Sequence, residues 1–237
     1  MNESEIKKFL IQKALEHEIE ISEECAHKFY VYMNNLKEWN QKINLTAIKE
    51  DKEIILKHFI DSVFVYNKIE GTKMLDIGSG AGFPGIPLKI INNELEVTLL
   101  DSVNKKVNFM NDSIEKIGLK KINAIHARAE ELGHEEEYRE KYDIVVSRAV
   151  ANMSTLVEYM LPFVKVGGKC LCLKGPNSED EINQSKNAIK KLGGKIQEII
   201  NYKIDENERC LVVIMKEKNT EQIYPRKQGK ALKEPLR

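Results

Sequence analysis

The run Met74-Leu75-Asp76-Ile77-Gly78-Ser79-Gly80-Ala81-Gly82-Phe83-Pro84-Gly85 constrains this chain more than any other stretch. A short apolar segment carrying a carboxylate leads into glycines at 78, 80 and 82. Glycine admits positive φ and lets another group approach the main chain closely. A strand, a glycine turn and a following helix make the nucleotide-type binding loop of an open α/β sheet. The downstream pattern agrees. Apolar runs predict strands at 73–77, 96–100, 122–126, 142–147, 169–174, 195–202 and 209–215. Helical spacing predicts helices at 85–91, 105–117, 154–163 and 179–192, with a short piece near 130–138. Such alternation implies a mainly parallel sheet covered on both faces. Only residues 203–208 separate the last two strands, too few for a helical crossover, so these should form a hairpin.

Two glycine patterns overlap in the loop. Residues 80–85 satisfy G-x-G-x-x-G, the signature of a dinucleotide site. Its frame is displaced, because Gly78 leaves the strand first, two residues after Asp76. Asp76-x-Gly78-x-Gly80-x-Gly82 instead resembles motif I of the S-adenosylmethionine (SAM)-dependent methyltransferases with a Rossmann-like fold. A carboxylate there suits the cationic methionine end of SAM and would repel a pyrophosphate. Asp101 closes the second strand, where an acidic residue suits the ribose hydroxyls of an adenosine. NAD and SAM share that adenosine, so Asp101 supports a nucleoside without choosing. It could equally cap the helix that follows.

The 37 Lys+Arg balance 37 Asp+Glu, so net charge points to no partner and any nucleic-acid surface must come from local clustering. No stretch is long and apolar enough for a membrane span. The acidic, polar start is unlike a signal peptide. Cysteines at 25, 170, 172 and 210 form no C-x-x-C, so no zinc site is expected, and Cys170 and Cys172 read as small buried hydrophobes on one strand face. A reducing cytoplasm fits this pattern.

The expected division is a helical extension over 1–68, a SAM-binding domain over 69–218 and a basic tail over 219–237. In the extension, helical spacing before and after Ser22 predicts two helices, and a third is expected from 51 to 69. Trp39 to Ala47 reads as a loop. The tail carries Tyr224, Arg226 and Lys227 among Pro and Gly, a composition that suits an RNA-backbone arm or a solvated terminus. The chain lacks the Asn/Asp-Pro-Pro-aromatic box of exocyclic-amine methylation, and no cysteine follows a proline as C5 chemistry commonly needs. Ring nitrogens, hydroxyls, carboxylates and small acceptors remain. Guanine N7 has a free lone pair and needs alignment rather than a base.

Several segments closely resemble the bacterial 16S rRNA guanine-N7 methyltransferase G family, also called glucose-inhibited division protein B. They are Trp39-Asn40-Gln41-Lys42-Ile43-Asn44-Leu45-Thr46-Ala47, His58-Phe59-Ile60-Asp61-Ser62, residues 75–88 with the Gly-Phe-Pro-Gly-Ile-Pro extension, Ser147-Arg148-Ala149-Val150-Ala151 and Tyr224-Pro225-Arg226-Lys227. Lys57 stands where the family more often has arginine, and Val63 where leucine is usual. The resemblance implies a Rossmann-like class I fold with a seven-stranded sheet and one antiparallel strand. It implies SAM as cofactor and N7 of one guanosine near the decoding centre as target, in 16S rRNA within the 30S subunit or its precursor. It places Gly78 against SAM through its main chain, with Asp76 and Gly80 in the same loop. Phe83 would line the pocket, Asp101 would hold the ribose, and Ala129 and Glu130 would flank the adenine. Arg148 would sit beside cofactor and substrate, with no general base assigned. Asn44, Thr46, His58, Asp61, Tyr224, Arg226 and Lys227 are the expected substrate contacts. Each has a structural reading beside it: Asn44 and Thr46 as turn caps, His58 as a core histidine paired with Asp61, and Arg148 as a partner of Asp76 or Glu130. An NAD(P)-dependent oxidoreductase and a non-catalytic RNA-binding module are the alternative functions. Nothing in the chain demands an oligomer.

Overall fold

A computed structural model describes residues 1–148 and 150–236; Ala149, part of one family segment, and Arg237 lie outside the described residues. The strands are β1 (Lys73–Ile77), β2 (Glu96–Asp101), β3 (Ile122–His126), β4 (Tyr142–Arg148), β5 (Val164–Lys174), β6 (Gly194–Ile204) and β7 (Asn207–Lys216). They form one seven-stranded sheet in the order β3-β2-β1-β4-β5-β7-β6. The pairs β1–β4, β2–β3 and β4–β5 are parallel, while β7 runs antiparallel to both β5 and β6. The usual dinucleotide sheet runs 3-2-1-4-5-6; here an antiparallel strand is tucked inside the sixth. The expected hairpin is present, with strands longer than the residue pattern indicated. They extend until only Asp205 and Glu206 turn the chain, and Asp205 takes the positive φ of 53° that a short polar side chain tolerates.

The chain packs into two compact units that cut across the linear division expected from sequence. One unit holds Met1–Ile69 with Ser79–His126, and the other Glu70–Gly78 with Ala127–Arg237.

In the first unit, Asn2 opens α1 (Glu3–Leu15) with a reciprocal capping box to Glu5, and Ser22 caps α2 (Glu23–Asn40). Trp39 and Asn40, expected in a loop, form the last turn of α2. Tertiary bonds hold them there: Trp39 Nε1 donates to Asp112 Oδ2 at 2.7 Å, and Asn35 Nδ2 to Ser113 Oγ at 2.9 Å. Both partners lie on α6 (Asn104–Ile117). The third helix is not the uniform α-helix expected. α3 (Asp51–Ile54) passes into a π-helical turn, Ile55–Ile60, then α4 (Asp61–Val63) and a 3-10 turn, Phe64–Lys68. A π turn inserts a residue and rotates the side chains that follow, and such turns concentrate at functional sites. Phe59 through Val63 are all buried, more consecutive burial than one face of a regular helix accommodates. The glycine loop then leads into α5 (Gly85–Ile91).

The second unit carries β1, β4, β5, β6 and β7 with α7 (Ala129–Leu132), α8 (Met153–Met160), α9 (Glu179–Lys191) and α10 (Lys230–Lys233). Ile144, Val145, Val146, Leu171 and Leu211 through Ile214 fill its sheet core. Cys170 and Cys172 are fully buried among them as expected, and burial pushes the Cys172 thiol up to about 12.

The tail is neither a free arm nor a solvated terminus. Tyr224, Pro225 and Ala231 are buried. The Arg139 guanidinium, itself buried, donates to the carbonyls of Gly133, Tyr224, Thr220 and Glu221 at 2.7–3.1 Å. Arg226 forks onto Glu158, at 2.9 Å from Nε to Oε1 and 2.7 Å from Nη2 to Oε2, and Glu158 is wholly buried. Composition alone could not show this, because the partners lie far away in sequence.

Candidate functional site

The glycine loop belongs mostly to the first unit and is fixed by its own backbone. Ser79 N donates to Leu100 O at 3.1 Å, and Gly82 N and Phe83 N both return to Ser79 O, at 2.8 and 2.9 Å. Gly80 and Gly82 take φ of 61° and 84°, which a side chain would strain. A Cβ on Gly82 would also lie 2.4 Å from Ile86 Cδ1. Asp101 reaches back from the end of β2 to accept Gly80 N–H on Oδ2 at 2.8 Å, and Val103 N–H on Oδ1 at 2.9 Å. It braces the glycine loop and the approach to α6, whose N-cap is Val103 rather than Asp101. A carboxylate offers about four lone-pair sites. Two are used by these amides, and the acceptor sites that remain fit the donating hydroxyls of a ribose diol.

Behind the loop stands a cluster of rings. Phe83 lies 5.5 Å from Tyr32 and 6.1 Å from Phe59, centroid to centroid, and Tyr32 Oη donates to Ala81 O. His58 stacks on Phe83 at 4.6 Å with 16° between the planes. His58 Nε2 meets Thr46 Oγ1 at 2.8 Å. Thr46 is held in turn by Asn40, whose Oδ1 accepts the N–H groups of Leu45 and Thr46 at 2.9 and 3.0 Å. Three residues singled out in separate segments, Thr46, His58 and Phe83, thus form one connected group. His58 has a partner in Thr46, and Asp61 is buried three residues further on. Asn44 is exposed in the loop that Asn40 closes. Tyr32 and Asn40 were not singled out from sequence. Tyr32 sat within an apolar helical stripe, and Asn40 carried only the signal of a family segment.

In the second unit Asp76 is wholly buried on β1, and Gly78 follows at φ 69°. A Cβ on Gly78 would come within 2.5 Å of Val150 Cγ2. Ser147 Oγ donates to Ile77 O at 2.7 Å, tying the ends of β1 and β4 together. Arg148, half-buried, ends β4. Ala129 and Glu130 are both buried on α7. Glu130 Oε1 accepts Gly229 N–H at 3.1 Å, and burial followed by the Glu130 charge pushes the neighbouring Tyr159 phenol up to about 12. Tyr224 and Arg226, expected at the substrate, are internal anchors, whereas Lys227 is exposed. Among the described residues no cluster of His, Cys, Asp and Glu is placed to hold a metal, and no helix is long and apolar enough to cross a membrane.

Residues 25–212 match the model of the family described as rRNA small subunit methyltransferase G. The chain belongs to that family. It is 50% identical over the full length of both chains to the ribosomal RNA small subunit methyltransferase G of Acetivibrio thermocellus. It is 49% identical to that of Clostridium botulinum strain Alaska E43, over 92% of this chain and 94% of the relative. Among solved structures, it resembles a SAM-dependent methyltransferase from Aquifex aeolicus (TM-score 0.52, 17% identity, 69% of this chain and 93% of the other). It also resembles the ribosomal protein L11 methylase of Lactobacillus delbrueckii subsp. bulgaricus (TM-score 0.53, 12% identity, 68% and 79% covered). These likenesses establish the class I methyltransferase fold, and the oxidoreductase alternative finds no support in them.

Proposed function

We propose that this chain transfers a methyl group from SAM to N7 of one guanosine in 16S rRNA near the decoding centre. The observation that carries this reading is the full-length, 50% identity to a ribosomal RNA small subunit methyltransferase G. The residues fit the cofactor. Asp101 keeps acceptor sites for the ribose hydroxyls while its amide bonds hold the loop. Gly78 presents bare backbone, Phe83 supplies an apolar wall, and Ala129 and Glu130 flank the adenine. Asp76 faces the cationic end. SAM supplies an electrophilic methyl on a sulfonium.

Guanine N7 carries its own lone pair and no proton; its bond to the methyl would form as the sulfonium S–CH3 bond breaks, with neutral S-adenosylhomocysteine leaving and the charge passing to the guanine, so the protein's task is alignment and exclusion of water. No general base is needed. Arg148 at the mouth of β4 is our choice for orienting the guanine. Asn44, Thr46, His58 and Lys227 are the expected RNA contacts, Asn44 and Lys227 being exposed. Tyr224 and Arg226 hold the segment that presents Lys227, and Asp61 is a further candidate on the substrate side. We assign the substrate to the 30S subunit or its precursor, since a chain with zero net charge must read shape and local patches rather than attract RNA globally. The protein would then work as a monomer in the cytoplasm.

The test is incubation with labelled SAM and undermodified 30S subunits, alongside naked 16S rRNA, followed by cleavage selective for N7-methylguanosine. One labelled guanosine is the expected result. SAM binding with no label would overturn the rRNA assignment, and no SAM binding would overturn the cofactor.

A further inference from the structure

The closing segment of the chain bonds to α7, the short helix that carries Ala129 and Glu130, and to the residues that directly follow it. Gly229 N–H donates to Glu130 Oε1 at 3.1 Å. Pro225 O meets His134 Nε2 at 2.7 Å, and the Pro225 ring lies so close to Gly133 that a Cβ there would fall 2.8 Å from its Cδ. Arg139 bonds Gly133 O and Tyr224 O at 2.8 and 2.7 Å, joining the end of the α7 region to the same segment. α7 has only four residues, and no side chain caps its start. Isolated helices of this length have no stability of their own. The segment is itself anchored on α8. Arg226 forks onto buried Glu158, and Ala231 O accepts from Thr155 Oγ1 at 3.0 Å. Thr155 and Glu158 are three residues apart on α8 and so share one face. Gly229 lies between these two anchors, at φ 76°.

We propose that residues 224–231 are a positioning element of the cofactor site, holding α7, and Glu130 within it, in the conformation that receives the adenine. The inference rests on the SAM reading of the preceding section. It adds a second task for the tail: the segment that presents Lys227 also braces the helix carrying Glu130. Gly229 is the critical residue, because its left-handed backbone aims the N–H at the carboxylate. A hydrogen bond to a charged group of this kind supports roughly a tenfold effect on whatever depends on its geometry.

The experiment compares the full-length protein with Gly229→Val and Gly229→Asn. A Cβ at 229 meets no atom within 4 Å, and valine and asparagine are of similar size, so the comparison between them reads backbone conformation. Valine disfavours positive φ, whereas asparagine tolerates it. Calorimetric titration with SAM and with 5′-methylthioadenosine, which lacks the methionine end, is the readout. For Gly229→Val the expected result is about tenfold weaker binding of both ligands, with an unchanged KM for the 30S subunit and a folded circular dichroism spectrum. Gly229→Asn should restore binding. Unchanged affinity of Gly229→Val for both ligands would overturn the proposal. So would a loss confined to SAM, which would place the effect at the methionine end. A wild-type protein that binds neither ligand would instead overturn the cofactor reading itself.

Discussion

The two compact units hold their candidate site residues by different physical means. In the first, Phe83 and His58 are held by rings: Phe29, Tyr32, Phe59 and Phe109 stack or tilt against one another at 4.9–6.3 Å. In the second, Glu130 and α7 are held by buried polar groups, a guanidinium on four carbonyls and an arginine forked onto a wholly buried carboxylate. Ring packing depends on volume and yields gradually when shape is changed modestly. A buried ion pair depends on both partners at once and fails abruptly when one is removed.

That contrast can be broken by substitution. Phe59→Ala should cost about 4 kcal/mol in urea unfolding, and Phe59→Leu only about 1 kcal/mol. Equal losses would show that the ring cluster needs aromatic geometry and not merely volume. Arg226→Met should cost about 3 kcal/mol by stranding Glu158, and the double variant Arg226→Met, Glu158→Leu should recover most of it. If the double variant is as unstable as the single, Arg226 contributes through its other bond, to Glu234 O at 2.8 Å, and the ion pair is not the anchor.

The smallest effect, and the sharpest comparison, is in pH. In the first unit burial lowers the pKa of His17, which sits edge-on to Phe64 at 5.8 Å. A base whose folded pKa lies below its unfolded value resists protonation only when folded, so this stability is lost as pH falls through 6.5. In the second unit, burial works against ionisation of Glu140. The Thr220 N–H, Asn219 and Lys216 outweigh it and hold the carboxyl below its ordinary value. That stability is intact above pH 4.5 and is lost below it. Melting curves from pH 7.5 to 3.5 should therefore show two successive declines, and His17→Gln should remove only the first.

The sheet was legible because strands and glycines are local signals. Every expected strand exists, and the hairpin followed from connection length alone. The glycine loop and Asp101 were legible because their chemistry lies within one βαβ unit. The π turn was not, since a hydrophobic stripe reports a helix without its pitch. The folded tail was not legible either: Lys227, Lys230 and Lys233 read as a basic arm, while Glu158, Arg139 and Thr155, which hold it down, carry no signal of partnership until the fold brings them together. The Thr46–His58 contact was not legible because its two residues lie twelve apart, in segments of different local structure.

The order in which the chain is made gives the closing segment one more meaning. Every residue of the first unit precedes position 127, so a nascent chain has all it needs for that unit while synthesis continues. The second unit cannot be finished until its last residues emerge. A product that stops after Ile223 would leave Glu158 buried without its arginine, Arg139 short of a carbonyl and Glu130 without Gly229. Completion of translation is thereby written into the stability of the unit that carries Glu130, and a truncated chain would spend more of its time unfolded and open to proteolysis.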